Sequence, residues 1–188
     1  MRSQSLHSTR RKVLSGLVAL AASSIYPLES LASDKQKTTY QTTNFSQDSD
    51  EVLLARMLFG EARDRSELEK VAIAYTAINR SQDRKKWNGE SLREAMLKPY
   101  QYSCFNYNDS NRKKLMNPEK YEPQAFQECL NIARKVLAGK YRDPTNGATH
   151  YYNPDVMSKP SWANKMQKIG RIKISEKEFS KHEFYREF

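Results

Sequence analysis

Apolar side chains recur at helical spacing through much of the chain. In "EVLLARMLFGEA", Leu54, Met57, Leu58 and Glu61 fall at i, i+3, i+4 and i+7, and Asp48 with Glu51 three residues later has the form of a capping box. The spacing therefore predicts a helix opening at Asp48. Ser66 and Glu69 repeat the signal before a helix with Leu68, Val71, Ala72, Tyr75 and Ile78 on one face, and Ser91 and Glu94 open a short one that Pro99 cannot continue. Pro123 suits the first turn of a further helix carrying Phe126, Cys129, Leu130, Ala133, Val136 and Leu137, with Gly139 at its end. Between these, residues 98–122 are rich in Asn, Tyr and Lys and read as a long irregular binding loop. Beyond "RDPTNG" the texture changes: "ATHYYNP" reads as a short extended segment, and "KIGRIKIS" alternates apolar and basic residues, as a partner strand would. Helices first and a small extended part later predict an α+β, mainly helical domain.

Glu61 breaks the first stripe. A carboxylate on a core-facing stripe is costly to bury without a partner, and burial favours its neutral form. A proton retained in this way is what a general acid needs. Spacing alone leaves other readings open: Arg63, Arg65 or Lys70 can form a structural ion pair with Glu61, or Gly60 can end the helix and turn the carboxylate to water.

The first 32 residues do not read as part of the fold. "MRSQSLHSTRRK" is a basic leader and "VLSGLVALAASSI" an apolar run too short to span a bilayer comfortably; "SLA" before Ser33 has the small residues of a cleavage site. An export signal cleaved after Ala32 is expected, placing the protein in the periplasm or cell wall with no stable membrane span afterwards. "TRRKVL" carries Arg10 and Arg11 ahead of an apolar pair, the twin-arginine pattern, and ordinary secretion is the alternative route. Residues 33–48 are polar and aperiodic and read as a flexible leader, leaving 49–188 as a single domain.

The full chain carries a formal charge of +10, and removing Arg2, Arg10, Arg11, Lys12 and Glu29 with the leader leaves a basic mature protein. For an exported protein the polyanions within reach are wall polymers and lipid head groups rather than nucleic acid. Cys104 and Cys129 are the only cysteines. An oxidising compartment allows a bridge between them, while a free Cys129 packed on its helix as a small hydrophobe is the alternative.

Taken in order, "LLARMLFGEAR", "AIAYTAINR", "QYSCF", "VLAG", "DPTNGATHYYNP", "WA" and the terminal "IG…HEFY" resemble the SleB-type cell wall hydrolases, which include spore cortex-lytic enzymes. The resemblance spans residues 52 to about 185. It implies a lysozyme-like fold and cleavage of peptidoglycan glycan strands between MurNAc and GlcNAc, as a lytic transglycosylase. The family's catalytic glutamate lies in the "GEA" motif, here Glu61, with neither metal nor organic cofactor required. Two-carboxylate glycosidases need a second group as nucleophile or base. In a transglycosylase the muramic acid supplies its own 6-hydroxyl instead. Asp64, Asp143 and Asp155 are the candidates for a second carboxylate if the reaction is hydrolysis.

Around the acid, Gln101, Tyr102 and Ser103 of "QYS" offer amide and hydroxyl groups for sugar substituents and an aromatic face for stacking. Tyr151, Tyr152 and Asn153 are expected to form a second wall, with Trp162 as a further aromatic. His150 and His182 lie too far apart in sequence for the common zinc spacings. His182 and Tyr185 belong to "HEFY", and the resemblance suggests a role in positioning substrate. In this chain "RIKISEKEFSK" separates "IG" from "HEFY", where the family has them nearly adjacent. No wall-binding repeat accompanies the domain, so targeting would rest on charge or on an unknown protein partner. A wall-binding module without activity and a zinc amidase acting on stem peptides are the competing classes.

Overall fold

The computed structural model describes residues 39–188; the expected export signal lies outside them. Six helices and a small antiparallel sheet make up this part. Helix α1 (Asp50–Ala62) is apolar on nearly every side, and Leu53, Leu54, Ala55, Met57, Leu58 and Phe59 are all buried. A helix apolar all round belongs in the centre of a core, and α1 is packed between α2 (Glu67–Gln82) and α6 (Pro123–Leu137). Its cap differs from the sequence expectation. Ser49, not Asp48, accepts the Val52 N–H, and Asp48 instead binds the guanidinium of Arg56 at 2.8 Å. Arg56 is fully buried and also donates to the carbonyls of Tyr40 and Leu115. The Asp48 carboxylate is therefore needed to balance a charge inside the core.

That arrangement ties down residues 39–48, expected as part of a flexible leader. Phe45 is buried against Phe105 and Tyr40 lies edge-on to Phe126. Two aromatic anchors suffice to dock a segment whose lack of period hides them in the sequence.

Helix α2 starts as expected, with Ser66 accepting the Glu69 N–H, and α3 (Leu92–Leu97) starts likewise at Ser91. Residues 98–122 are less irregular than expected. They fold into a 3₁₀ turn at Ser103–Phe105 and two short helices, α4 (Arg112–Met116) and α5 (Pro118–Tyr121), because Asp109 and Pro118 supply local starts. Helix α6 has Pro123 in its first turn and Gly139 at φ 68° just past its end.

The sheet order is β1 (His150–Tyr152), β3 (Glu183–Arg186), β2 (Gln167–Gly170), antiparallel throughout. "KIGRIKIS" thus supplies β2 but does not pair with β1; the terminal "EFYR" lies between them, placing Tyr151 opposite Phe184. The segment inserted between "IG" and "HEFY" is a closed excursion. Ser180 N–H donates to the Ile172 carbonyl at 2.8 Å, its hydroxyl accepts the Ile172 N–H at 2.9 Å, and Lys173 bridges to Phe179. The insertion leaves and rejoins the sheet at one point, so "HEFY" enters β3 undisturbed. No disulfide joins Cys104 and Cys129: both are free and buried, Cys129 among the apolar residues of α6. Among the described residues, no helix is long and apolar enough to cross a membrane.

Candidate active site

Glu61 occupies the last turn of α1, where the helix emerges from the core. It is half-buried. Gly60 does not end the helix; it lies inside it, and a Cβ there would stand 2.4 Å from the Cys104 Cβ. The missing side chain lets the Ser103–Phe105 turn close onto the helix. That approach brings two donors to Glu61 Oε1, the Cys104 backbone N–H at 3.1 Å and the Ser103 hydroxyl at 3.4 Å. From β1, the Tyr151 hydroxyl donates to Oε2 at 2.9 Å. None of the cations that could have claimed Glu61 does so: Arg63 binds Glu122, Arg65 binds Asp64 and Lys70 binds Glu128.

Glu61 faces an open cleft of about 360 Å³. Gln101, Ser103, Tyr151, Tyr152, Asn153, Trp162 and His182 line it, so most of the site residues expected from sequence meet at one place. Gln101 is held at both ends of its amide, accepting from Arg80 at 3.1 Å and donating to the Trp87 carbonyl at 2.9 Å. Asn153 turns its carbonyl oxygen inward to the Asp155 N–H and so shapes the turn after β1. Trp162 stands nearly perpendicular to Tyr152, with centroids 6.0 Å apart.

Two expected substrate contacts do not line the cleft. Tyr102 is 1% exposed, its hydroxyl on Thr76 and its ring beneath the Arg80 guanidinium, 4.9 Å away. Tyr185 is equally buried, donating to Glu183 and packing behind Trp162. Tyr102 leads into the Ser103–Phe105 turn with its ring packed inward, while its neighbours Gln101 and Ser103 line the cleft; Phe184 and Tyr185, adjacent on β3, are both buried. Both rings support the cleft from behind.

Sequence reasoning missed three residues here. Arg80, on α2, reaches both Tyr102 and Gln101; its only sequence signal is the "AINR" motif. Tyr100 lines the cleft while 89% exposed, at a left-handed φ of 67°. Glu69, read only as part of a capping box, is 3% exposed, and its Oε1 accepts from both the backbone N–H of His182 at 3.0 Å and its ring Nδ1 at 2.8 Å. Burial alone would raise the Glu69 pKa, but the hydrogen bonds from His182 outweigh it and hold the carboxyl below its usual range. The His182 ring stands perpendicular to Tyr151, with centroids 5.1 Å apart.

The electrostatics fit donors that stay protonated. Burial and the Glu61 charge push the Tyr151 phenol well above the ordinary tyrosine range, and the same two causes keep the Cys104 thiol protonated. None of the sequence candidates for a second carboxylate lines the cleft. Asp64 pairs with Arg65, Asp143 binds the turn at Thr145 and Gly147, and Asp155 pairs with Arg171. Glu61 is the only acidic residue among the described lining residues.

Comparison with known proteins agrees with this architecture. The catalytic domain of the germination-specific lytic transglycosylase SleB from Bacillus anthracis is similar in structure, with TM-score 0.54 and 19% identity, over 74% of this chain and 96% of that one. The catalytic domain of the Bacillus cereus SleB protein gives TM-score 0.48 and 21% identity, over 79% and 98%. Comparison with curated protein sequences gives no match. The family profile described as "Cell Wall Hydrolase" matches residues 64–184, more than half of the chain, beginning just after Glu61. With that match, the chain belongs to the cell wall hydrolase family.

Proposed function

We propose that this cell wall hydrolase is an exported lytic transglycosylase that cuts peptidoglycan between MurNAc and GlcNAc, with Glu61 as acid and then base. The supporting observation is that Glu61 is the only carboxylate among the described lining residues of a cleft that also presents tyrosines, an amide and an indole. In the first step Glu61 donates its proton to the glycosidic oxygen. As positive charge develops on the sugar ring, the carboxylate so formed is held by Tyr151, Ser103 and the Cys104 N–H. In the second step it takes the proton of the muramyl 6-hydroxyl, which closes on C1 and leaves a 1,6-anhydro end. One carboxylate serves both steps because the nucleophile belongs to the substrate.

The aromatic wall of Tyr151, Tyr152 and Trp162 suits the apolar faces of pyranose rings, and Gln101, Ser103, Asn153 and His182 suit hydroxyl and acetamido groups. A basic mature surface suits an anionic wall. Export through a signal in residues 1–32, by the twin-arginine or the ordinary route, puts the enzyme where its substrate lies. Residues 49–188 form the catalytic unit in this reading.

Mass spectrometry of products from purified peptidoglycan tests the reading. The mature protein is expected to release anhydro-muramyl fragments and Glu61→Gln to release none. Reducing muramyl ends would show hydrolysis instead, and binding to sacculi without release would show a wall-binding module. Unchanged digestion by Glu61→Gln would remove the acid assigned here.

A further inference from the structure

The contact between Glu69 and His182 lies outside the acid chemistry just described. Glu69 sits in the first turn of α2 and His182 immediately precedes β3, so the pair ties the helical layer to the sheet behind the cleft. Both residues are buried, at 3% and 7% exposure. One carboxylate oxygen accepts two N–H groups of the same residue, the backbone amide and ring Nδ1. This fixes both where the histidine sits and how its ring is turned. With Nδ1 occupied, the other ring nitrogen, Nε2, has no hydrogen-bond partner among the described residues; it is not among the buried atoms left unpaired, and His182 lines the cleft. The same ring stands perpendicular to Tyr151, whose hydroxyl holds Glu61.

We propose that Glu69 is a positioning residue: it locks His182 as the Nδ1–H tautomer, so that Nε2 faces the glycan as a hydrogen-bond acceptor while the ring steadies Tyr151 against Glu61. The inference rests on the reading of Glu61 as the acid. A free imidazole divides between its two neutral tautomers, and only a partner on one nitrogen settles which proton is present. An acceptor at Nε2 suits a sugar hydroxyl or an acetamido N–H, the donors a peptidoglycan strand carries. Through His182 and Tyr151, Glu69 bears on the acid without touching substrate.

Imidazole ¹H–¹⁵N correlation spectra of the full chain at pH 8 test the tautomer directly, independent of activity. His182 is expected to carry its proton on Nδ1 alone. A ring protonated at Nε2, as the other tautomer or as imidazolium, overturns the proposal. Kinetics on peptidoglycan supply the second arm. Glu69→Ala is expected to lower kcat/KM on the order of 10²-fold, as misplaced groups in a cleft do, and Glu69→Gln, which keeps an acceptor for both N–H groups, to stay within a few-fold of wild type. In a His182→Ala background, Glu69→Ala should cost little more, because the histidine through which it acts is gone.

An equal cost in both backgrounds would make Glu69 a purely structural residue and overturn the proposal. If Glu69→Ala does not fold, the wild-type spectrum and Glu69→Gln decide by the same criteria. Should the wild type release no glycan fragments, the functional reading fails, while the spectrum still reports on the dyad.

Discussion

The hydroxyl of Tyr151, on a strand, donates to Oε2 of Glu61, on the central helix, at 2.9 Å and across ninety positions of sequence. Among the described residues it is the one hydrogen bond by which the sheet reaches the acid. Tyr151→Phe removes the donor but keeps the ring against His182, and a hydrogen bond to a charged group contributes about 1.5–3 kcal/mol. The expected result is a fall in kcat of roughly tenfold to a hundredfold with a smaller change in KM, read from steady-state release of muropeptides. Because its phenol is pushed well above the ordinary range, Tyr151 stays a donor throughout the alkaline range an enzyme assay covers.

Gly60 makes a sharper test of the same geometry. A methyl there would meet Cys104 Cβ at 2.4 Å, its Sγ at 2.9 Å and Leu115 Cδ1 at 3.1 Å. Alanine favours helix, so propensity predicts a gain in stability. Overpacking of this kind costs about 1–3 kcal/mol and wins. Gly60→Ala is expected to lower stability in urea titration. It should also lower activity, since relief of the clash moves the Cys104 N–H away from Glu61.

Arg56 is the buried charge on which the amino-terminal segment depends. Its guanidinium serves Asp48 and the carbonyls of Tyr40 and Leu115 at once. Asp48→Ala leaves that charge uncompensated, and breaking a buried pair costs about 3–5 kcal/mol. Arg56→Lys should rescue little, because one ammonium cannot span three separated acceptors. Thermal melts of the two variants, compared with wild type, check both expectations.

Stability should fall in acid. His150 packs against Trp162, and burial, with the nearby Arg80 charge, lowers its pKa from 6.5 to about 4. Between those values the unfolded chain binds a proton that the folded one does not. Stability is therefore complete above about pH 6.5 and is lost as pH falls toward 4, by on the order of 3 kcal/mol. Glu69 adds to the trend at lower pH: its folded pKa lies below 4.5, so its contribution is present above that value and is lost beneath it. Urea midpoints measured from pH 7 to 4 should decline, and His150→Gln should flatten that decline.

Both cysteines are free and buried, and burial pushes the Cys129 thiol up to about 12. Thiolate is the reactive form. Reductant should leave the melting temperature unchanged, and alkylating reagents should label both thiols only in denaturant. A melting temperature that drops on reduction would reveal a bridge.

What could be read from sequence was local. Ser66, Ser91 and Pro123 mark helix starts because capping and proline geometry act within a turn. The helical dominance of the fold follows from the 3.6-residue period, and Glu61 stood out because it broke that period. The Asp48 cap misled because two adjacent residues, Asp48 and Ser49, both cap well, and Arg56, further along the same helix, claimed the first. Tertiary structure alone decided the rest: that β3 separates β1 from β2, that Tyr102 and Tyr185 turn inward, that Glu69 meets His182, and that no cation among the described residues pairs with Glu61. Those outcomes depend on which distant surfaces pack together, and the free energy of such packing belongs to the assembled core rather than to any window of the chain.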